Sequence, residues 1–418
     1  MKIGFYEADI TPPLGGFVWG HYHEVRATEV ADRLFARAVC FIEGDAVAAF
    51  VCVDACALPP DMRAVVTAQI TEATGIVADR IFLSANHTHS GAPLFDDPSI
   101  GCTADAAYRD VCYRRTADAV IMAYHRAKER TLAYGESTLY GYAFCRDYLL
   151  EEGVARTFQP GVPHCGVLGK TDPSVPVLVA LEDGRPVGAV VNYALHQCCT
   201  GTHTAYSGDY SSVLARELKR TYGEDFSLVF LLGACGDINH IDNDWRIKTP
   251  HTYEEIGCAL AARVREAIEL AAPVGEGIAV KQEKITLARR KPTAAEAARI
   301  AADPRLAAMR ERNFRYYAET NQKAEDTLTL GMARLGNTVL YAMPGEVFCE
   351  YGLSLKERSR ATHVMVATCC QDYCGYIPSR RAFEADADLY EASLCYHSCL
   401  EPAAGDKMVD QLLAMEQA

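Results

Sequence analysis

The segment Asn86-His87-Thr88-His89-Ser90-Gly91 follows the apolar run Arg80-Ile81-Phe82-Leu83-Ser84-Ala85. Two histidines two residues apart on an extended segment point to the same side of the backbone. The end of a buried strand is where α/β proteins place ligand sites. His196 stands in the same position, just past the run Val190-Val191-Asn192-Tyr193-Ala194-Leu195. Neutral imidazole is the commonest zinc ligand, and a catalytic zinc takes about three protein ligands and keeps one position open. A carboxylate is the usual third. Glu346 is a candidate, because Met343-Pro344-Gly345-Glu346 makes a sharp turn after the strand Val339 to Ala342 and opens a helix. An acid in the first turn of a helix is also favoured by the helix dipole alone.

A second group follows the strand Ser227 to Leu232, in Gly236-Asp237-Ile238-Asn239-His240. Small residues after a strand let a substrate approach the backbone. Asp237 and Asn239 are therefore candidate catalytic residues, with an Asx turn as the structural alternative. Asp237 or His240 could move protons. His125, His251 and His363 read as structural, whereas His21, His23, His203 and His397 lie in polar loops that could line a cleft.

The elements that must position these residues alternate in type over the first 280 positions. Apolar runs Ala36 to Glu43 and Ala46 to Asp54 flank the hairpin signal Gly44-Asp45, and Val175 to Glu182 and Val187 to Leu195 flank Asp183-Gly184. Helical periodicity covers Pro60 to Thr74, Tyr108 to Lys128, Asp209 to Thr221 and Tyr253 to Ala271. A charged stretch, Ala294 to Gln322, breaks near Asp303-Pro304. Its residues Arg310, Arg312, Phe314, Arg315, Tyr316 and Tyr317 could suggest a binding face, but in an acidic chain they read rather as a solvated amphipathic helix. Thr327 to Met343 forms a hairpin around Gly336-Asn337, Glu346 to Arg358 a helix and His363 to Cys369 a strand. No internal repeat is visible. The pattern predicts a single mixed α/β domain over residues 1–418.

Bulk properties narrow the chemistry. A net charge of −14 argues against a nucleic-acid partner and against docking on anionic membranes. Seventeen cysteines without a Cys-x-x-Cys pair, several of them in apolar runs (Cys40, Cys52, Cys235, Cys258), read as free buried thiols in a reducing compartment. With neither a signal-like start nor a membrane-length apolar run, the expected location is cytoplasmic.

Taken together, the motifs resemble one family, the neutral, non-lysosomal ceramidases and their bacterial relatives. The shared order runs through Ala8-Asp9-Ile10-Thr11-Pro12, Trp19-Gly20, Ala36-Arg37-Ala38, His87-Thr88-His89-Ser90-Gly91 and Ala194-Leu195-His196. It continues through Gly208-Asp209-Tyr210, Gly236-Asp237-Ile238-Asn239, Pro344-Gly345-Glu346, Gly375-Tyr376-Ile377-Pro378 and Leu389-Tyr390-Glu391-Ala392. The resemblance implies an α/β catalytic domain of central mixed sheets flanked by helices. It also implies zinc ligands at His87, His196, Glu346 and Tyr376, and His89 as the group that stabilises an oxyanion. Arg146 and Tyr390 would be substrate contacts, and Gly20 would line the pocket.

Three departures bear on substrate. Asn239 stands where the resemblance places the family's nucleophilic serine, and the sequence is expected to lack the C-terminal immunoglobulin-like domain of ceramidases and a secretion signal. The expected activity is therefore a zinc-dependent hydrolase that attacks an amide or ester carbonyl of a small soluble molecule with metal-bound hydroxide, rather than a ceramide hydrolase. Arg146 could pair with an anionic group of that molecule. A metal-dependent lyase or isomerase acting on a polar metabolite is the first alternative. A non-catalytic metal-dependent binding protein is the second. An amidohydrolase barrel also uses His-x-His, but there the pair ends the first strand, and no eightfold alternation is visible here.

Overall fold

The computed structural model describes the chain except residues 22, 98–100, 158–161, 201–203, 243–248, 302–306, 385–386 and 418, and the side chains of 299, 301 and 307. His203 lies outside the described residues. The architecture is the mixed α/β class expected, with sheets at the centre and helices packed outside them.

Three sheets share one plan, which the sequence alone conceals. In the first, Lys2–Asp9, Phe35–Glu43 and Ala46–Val53 pair antiparallel in succession. The helix Met62–Thr74 then crosses over to Ile81–Ala85, which lies parallel to Ala46–Val53, and a second helix, Ala106–His125, follows. In the second, Thr131–Thr138, Ser174–Glu182 and Arg185–Tyr193 are antiparallel. The helix Asp209–Tyr222 leads to the parallel strand Ser227–Leu232, and Tyr253–Glu269 follows. In the third, Ile278–Ala288, Glu325–Leu335 and Thr338–Ala342 are antiparallel. Cys349–Arg358 leads to the parallel strand His363–Ala367, and Ala404–Gln417 follows.

Packing repeats as well. In the first unit a Cβ on Gly4 would stand 2.0 Å from the Ala123 carbonyl, and in the second a Cβ on Gly135 would stand 1.8 Å from the Ala267 carbonyl. In both, glycine in the leading strand lets the closing helix lie against the sheet. The hairpin strands are near-continuous apolar runs because both their faces are covered.

The sequence-predicted hairpins at Gly44-Asp45, Asp183-Gly184 and Gly336-Asn337 all form. Four readings change. The strands Lys2–Asp9, Thr131–Thr138 and Ile278–Ala288 and the helix Ala404–Gln417 lie outside the predicted elements. Glu346 does not open a helix: Glu346–Val347 is a short strand paired in parallel with Tyr376–Ile377, and the helix begins at Cys349. The stretch after Ala294 is not simply a solvated face, since Arg310 is buried against Asp388 at 2.6 Å and Tyr317 is buried with its hydroxyl on the Arg290 carbonyl. All seventeen cysteines are free, but Cys258 is exposed. Among the described residues, no helix is long and apolar enough to cross a membrane.

A smaller sheet, ordered His164–Val167, Asp147–Leu150, Ala155–Thr157, Ala387–Asp388, supports one wall of the site.

Candidate metal centre

Each of the three repeated units ends its two parallel strands at the same place, and each sends one candidate ligand there. His87 follows Ile81–Ala85, His196 follows Arg185–Tyr193, and Glu346 follows Thr338–Ala342. The opposite strand end of each unit supplies backbone support. His87 Nδ1 donates to the Cys56 carbonyl (2.6 Å), and His196 Nδ1 donates to the Cys235 carbonyl (2.9 Å). In the third unit the Cys369 amide donates to the Gly345 carbonyl (3.0 Å).

His87 is not in extended backbone as the spacing suggested. Its φ is +66°, and this left-handed turn is what brings its ring to the site. The flanking residues hold the turn. The Asn86 side chain donates to Asp54 and Ser211, Thr88 Oγ1 donates to the Ser207 carbonyl, and the His89 amide donates to the Gln197 carbonyl.

A carbonyl oxygen only accepts, so both Nδ1 atoms carry hydrogen, and in the neutral ring each Nε2 is then a lone pair. The two Nε2 atoms are 3.0 Å apart and lie 3.2 and 3.3 Å from Glu346 Oε2. Oε1 of Glu346 accepts from the Tyr373 hydroxyl (2.5 Å), whereas Oε2 is buried with no hydrogen-bond partner. Three acceptors thus converge on one point and offer no donor. Ligands about 2.0 Å from a tetrahedral zinc stand about 3.3 Å apart, so the spacing and the donor set both fit that ion.

The electrostatics agree. Burial opposes charge on His87, yet Cys56 and Glu346 beside it raise its pKa well above the ordinary value. Burial pushes the Glu346 carboxyl up, yet His87 and His196 hold it well below its ordinary range. The cluster calls for a positive charge, which either a proton or a metal ion can supply.

Strand pairing sets Tyr376 directly beside Glu346, and its hydroxyl accepts from Arg146 Nη2 at 3.2 Å. His89 Nε2 lies 3.4 Å from His87 Nε2, and burial, followed by His87, holds His89 well below its usual pKa and so neutral. Gly20 packs against the His89 ring. A Cβ there would stand 2.9 Å from Nδ1, and its φ of +101° also favours glycine. Tyr390 lines the same cavity, with its hydroxyl 3.2 Å from His397 Nε2.

Arg146 is in the wall too, but its charge is balanced by Glu391 (2.5 Å), so it offers no free cation to a substrate anion. Asp237 and Asn239 have side chains engaged elsewhere. Asp237 Oδ1 accepts from the Cys349 amide at the start of Cys349–Arg358 (2.7 Å), and burial lifts its pKa to about 7. Asn239 Oδ1 accepts from the Ile241 amide in an Asx turn. Neither of them, nor His240, is among the described residues that line the cavity.

The cavity above the triad has a volume of about 280 Å³. His21, His23 and His397 line it, together with Trp19, Cys56, Cys198, Arg312, Tyr373 and Tyr396, which sequence reasoning did not single out as site residues. Trp19 left a signal as part of the Trp19-Gly20 motif, and Arg312 as part of the Arg and aromatic cluster that could suggest a binding face. The others come from loops and have no strand-end spacing to mark them.

No family model matches the chain, and no curated protein is significantly similar to it. Solved structures do match. Neutral ceramidase from Pseudomonas aeruginosa superposes with a TM-score of 0.73 at 17% identity, covering 100% of this chain and 74% of that one. A ceramidase complexed with C2 gives 0.75 at 16% identity, covering 99% and 74%. The fold of this chain is that of the ceramidase catalytic domain.

Proposed function

We propose that the chain is a metal-dependent hydrolase of small, polar amides or esters, with zinc held by His87, His196, Glu346 and Tyr376. The observation that carries this reading is the convergence of His87 Nε2, His196 Nε2 and Glu346 Oε2 at 3.0–3.3 Å with no internal donor. The shared fold with ceramidases, which act on an N-acyl amide, favours hydrolysis of a carbonyl compound. When bound, zinc supplies Lewis acidity and brings the pKa of a coordinated water to about 7.

The chain's own groups do the rest. His89, neutral and half-buried beside the triad, donates to the carbonyl oxygen as it gains charge; one such donor is worth about 3 kcal/mol. Tyr373 holds the Glu346 carboxylate so that Oε2 faces the ion. Arg146 acts through Tyr376 rather than on the substrate, because Glu391 already balances its charge.

Substrate size and polarity follow from the walls. The described lining is aromatic, imidazole, thiol and polar, and it includes no aliphatic side chain. At about 280 Å³ the cavity is at the small end for ligand sites. It suits a compact ring-bearing or hydroxylated molecule and disfavours the acyl chain of ceramide.

The test has two arms. Metal analysis of the purified protein and of His87→Ala and His196→Ala should show stoichiometric zinc that is lost in both variants; zinc surviving both changes overturns the site. Turnover of a panel of small N-acyl amides and esters in ¹⁸O-labelled water should place one labelled oxygen in the product. Turnover without label would mean a lyase or isomerase instead.

A further inference from the structure

Behind the wall that carries Tyr376 and Tyr390, the strands Asp147–Leu150 and Ala155–Thr157 pair with Asp147 opposite Thr157. Arg146 directly precedes the first strand, and Tyr390 and Glu391 lie in the short 3-10 turn Tyr390–Ala392. Four buried side chains meet there: Arg146, Asp147, Thr157 and Glu391. Arg146 Nε donates to Glu391 Oε1 (2.5 Å), while its Nη2 reaches the Tyr376 hydroxyl (3.2 Å) and the Gly236 carbonyl (2.7 Å). Thr157 Oγ1 is 2.7 Å from Glu391 Oε2 and 2.8 Å from Asp147 Oδ1, and it accepts from the Tyr390 amide (3.0 Å).

Hydrogen-bond accounting constrains this cluster. A hydroxyl has one hydrogen to give and two lone pairs to receive. The Tyr390 amide takes one lone pair. The two carboxyl groups at Thr157 cannot both accept its single hydrogen, so one of them must donate. Glu391 is ion-paired with Arg146 and is the carboxylate. The hydrogen therefore belongs to Asp147.

We propose that Asp147 is a neutral acid in the folded protein, donating to Thr157, which donates to Glu391, and that this one-proton chain fixes Arg146 against Tyr376 and anchors the Tyr390 backbone. Asp147, Thr157 and Glu391 are then positioning residues for the cavity wall. The surroundings of Asp147 agree: burial, with Glu391 and Asp237 nearby, moves its acid well above the usual carboxyl range, and the Arg146 charge opposes them only in part. That Tyr376 and Tyr390 serve a metal and a substrate rests on the hydrolase reading; the proton on Asp147 does not.

Infrared spectra of protein carrying ¹³C-carboxyl aspartate at pH 7 test the proton directly. Beyond the band of the half-titrated Asp237, a protonated-carboxyl component of the unmodified protein should be lost in Asp147→Asn; no such component in the unmodified protein, or the same band in both proteins, overturns the proposal. Zinc affinity, read by competition with a chromophoric chelator, tests the positioning. Asp147→Asn keeps a donor toward Thr157 and should stay within about 3-fold, whereas Thr157→Val and Glu391→Gln should weaken binding by about 10-fold or more. Asp147→Asn as damaging as Glu391→Gln would also overturn it. Should Glu391→Gln fail to fold, the Asp147→Asn and Thr157→Val pair decides the same point. Zinc that binds none of the proteins, the unmodified one included, removes the hydrolase reading, and the infrared band then decides the proton chain alone.

Discussion

Two buried polar clusters share the wall of one cavity, and they differ in their hydrogen-bond accounts. At His87, His196 and Glu346, three acceptors face each other, and with both rings neutral none of the three offers a hydrogen. At Arg146, Glu391, Thr157 and Asp147, the hydrogen bonds that join the four side chains close once Asp147 holds its proton, and the Arg146 charge is balanced by Glu391. Buried polar groups are normally satisfied. A cluster that closes with a proton on one of its own acids reads as framework, and one in which three acceptors face a single point, where a proton or a metal ion can supply the positive charge, is the candidate site. Burial alone does not separate the two, since every side chain named in either is at most 5% exposed.

The largest expected effect lies at the open cluster. His196→Ala removes one of three converging acceptors and should abolish stoichiometric zinc. It should also remove the thermal stabilisation that zinc gives the unmodified protein, about 2.7 kcal/mol when free zinc is 100 times its Kd. Melting curves with and without zinc read this, and equal zinc-induced shifts in the two proteins would erase the distinction between the clusters.

The closed cluster should respond in the opposite sense to a second deletion. Arg146→Met leaves the buried Glu391 carboxylate without its cation, and Glu391→Leu leaves the Arg146 charge without that carboxylate; each should cost about 3–5 kcal/mol in urea unfolding. The double variant removes both charges and should be more stable than either single one. Simple addition of the two losses would mean that the pair is not a closed account.

Asp237 sharpens the contrast from a third position, because it is a buried carboxyl near both clusters that belongs to neither. Burial lifts its pKa to about 7, whereas an unfolded aspartate releases its proton near pH 3.9. Between those values the folded state holds the extra proton, so stability falls as pH rises through the window and is level above it. The upper limit of that loss is about 4 kcal/mol, at 1.36 kcal/mol per unit. Asp237→Asn keeps an acceptor for the Cys349 amide and removes the titration. It should be more stable than the unmodified protein at pH 8, lose that advantage near pH 4.5, and retain its zinc. A variant that loses zinc would place Asp237 in the open cluster.

The open cluster was largely legible in the sequence, and the closed one was not, for a physical reason. His87, His196 and Glu346 each follow an apolar strand, so periodicity marks the place where each side chain leaves the sheet. The hairpins were legible because Gly44, Gly184 and Gly336 sit at turns with positive φ. Glu391, Thr157 and Asp147 come from short strands and a 3-10 turn, which have no periodicity to read. The threefold plan of the sheets was hidden because it resides in strand order and packing, and the units place different residues at equivalent strand ends: Cys56, His196 and Glu346 on one side, His87, Cys235 and Cys369 on the other. Lys2–Asp9 and Ile278–Ala288 were missed because polar residues interrupt their apolar pattern. The helix expected at Glu346 failed because the Gly375–Ile377 segment offers backbone partners: the Glu346 amide donates to the Gly375 carbonyl (2.8 Å) and the Phe348 amide to the Ile377 carbonyl (3.1 Å).

The smallest effect tests where the open cluster ends. Tyr373 donates to Glu346 Oε1, so it closes half of that carboxylate's account and leaves the other half for the ion. Its ring packs edge-on to Trp19 at 5.9 Å, so Tyr373→Phe should keep the packing and remove only the donor. Oε1 then has no fixed partner, the carboxylate can rotate, and zinc affinity should fall by about 10-fold. Chelator competition measures it, with the melting temperature of the metal-free protein as the control for packing. If affinity is unchanged, the two histidines alone hold the carboxylate in place and Tyr373 belongs to the wall. If it falls while the metal-free protein melts as before, the hydroxyl is part of the site: one oxygen of Glu346 is satisfied by the protein so that the other can wait for a cation.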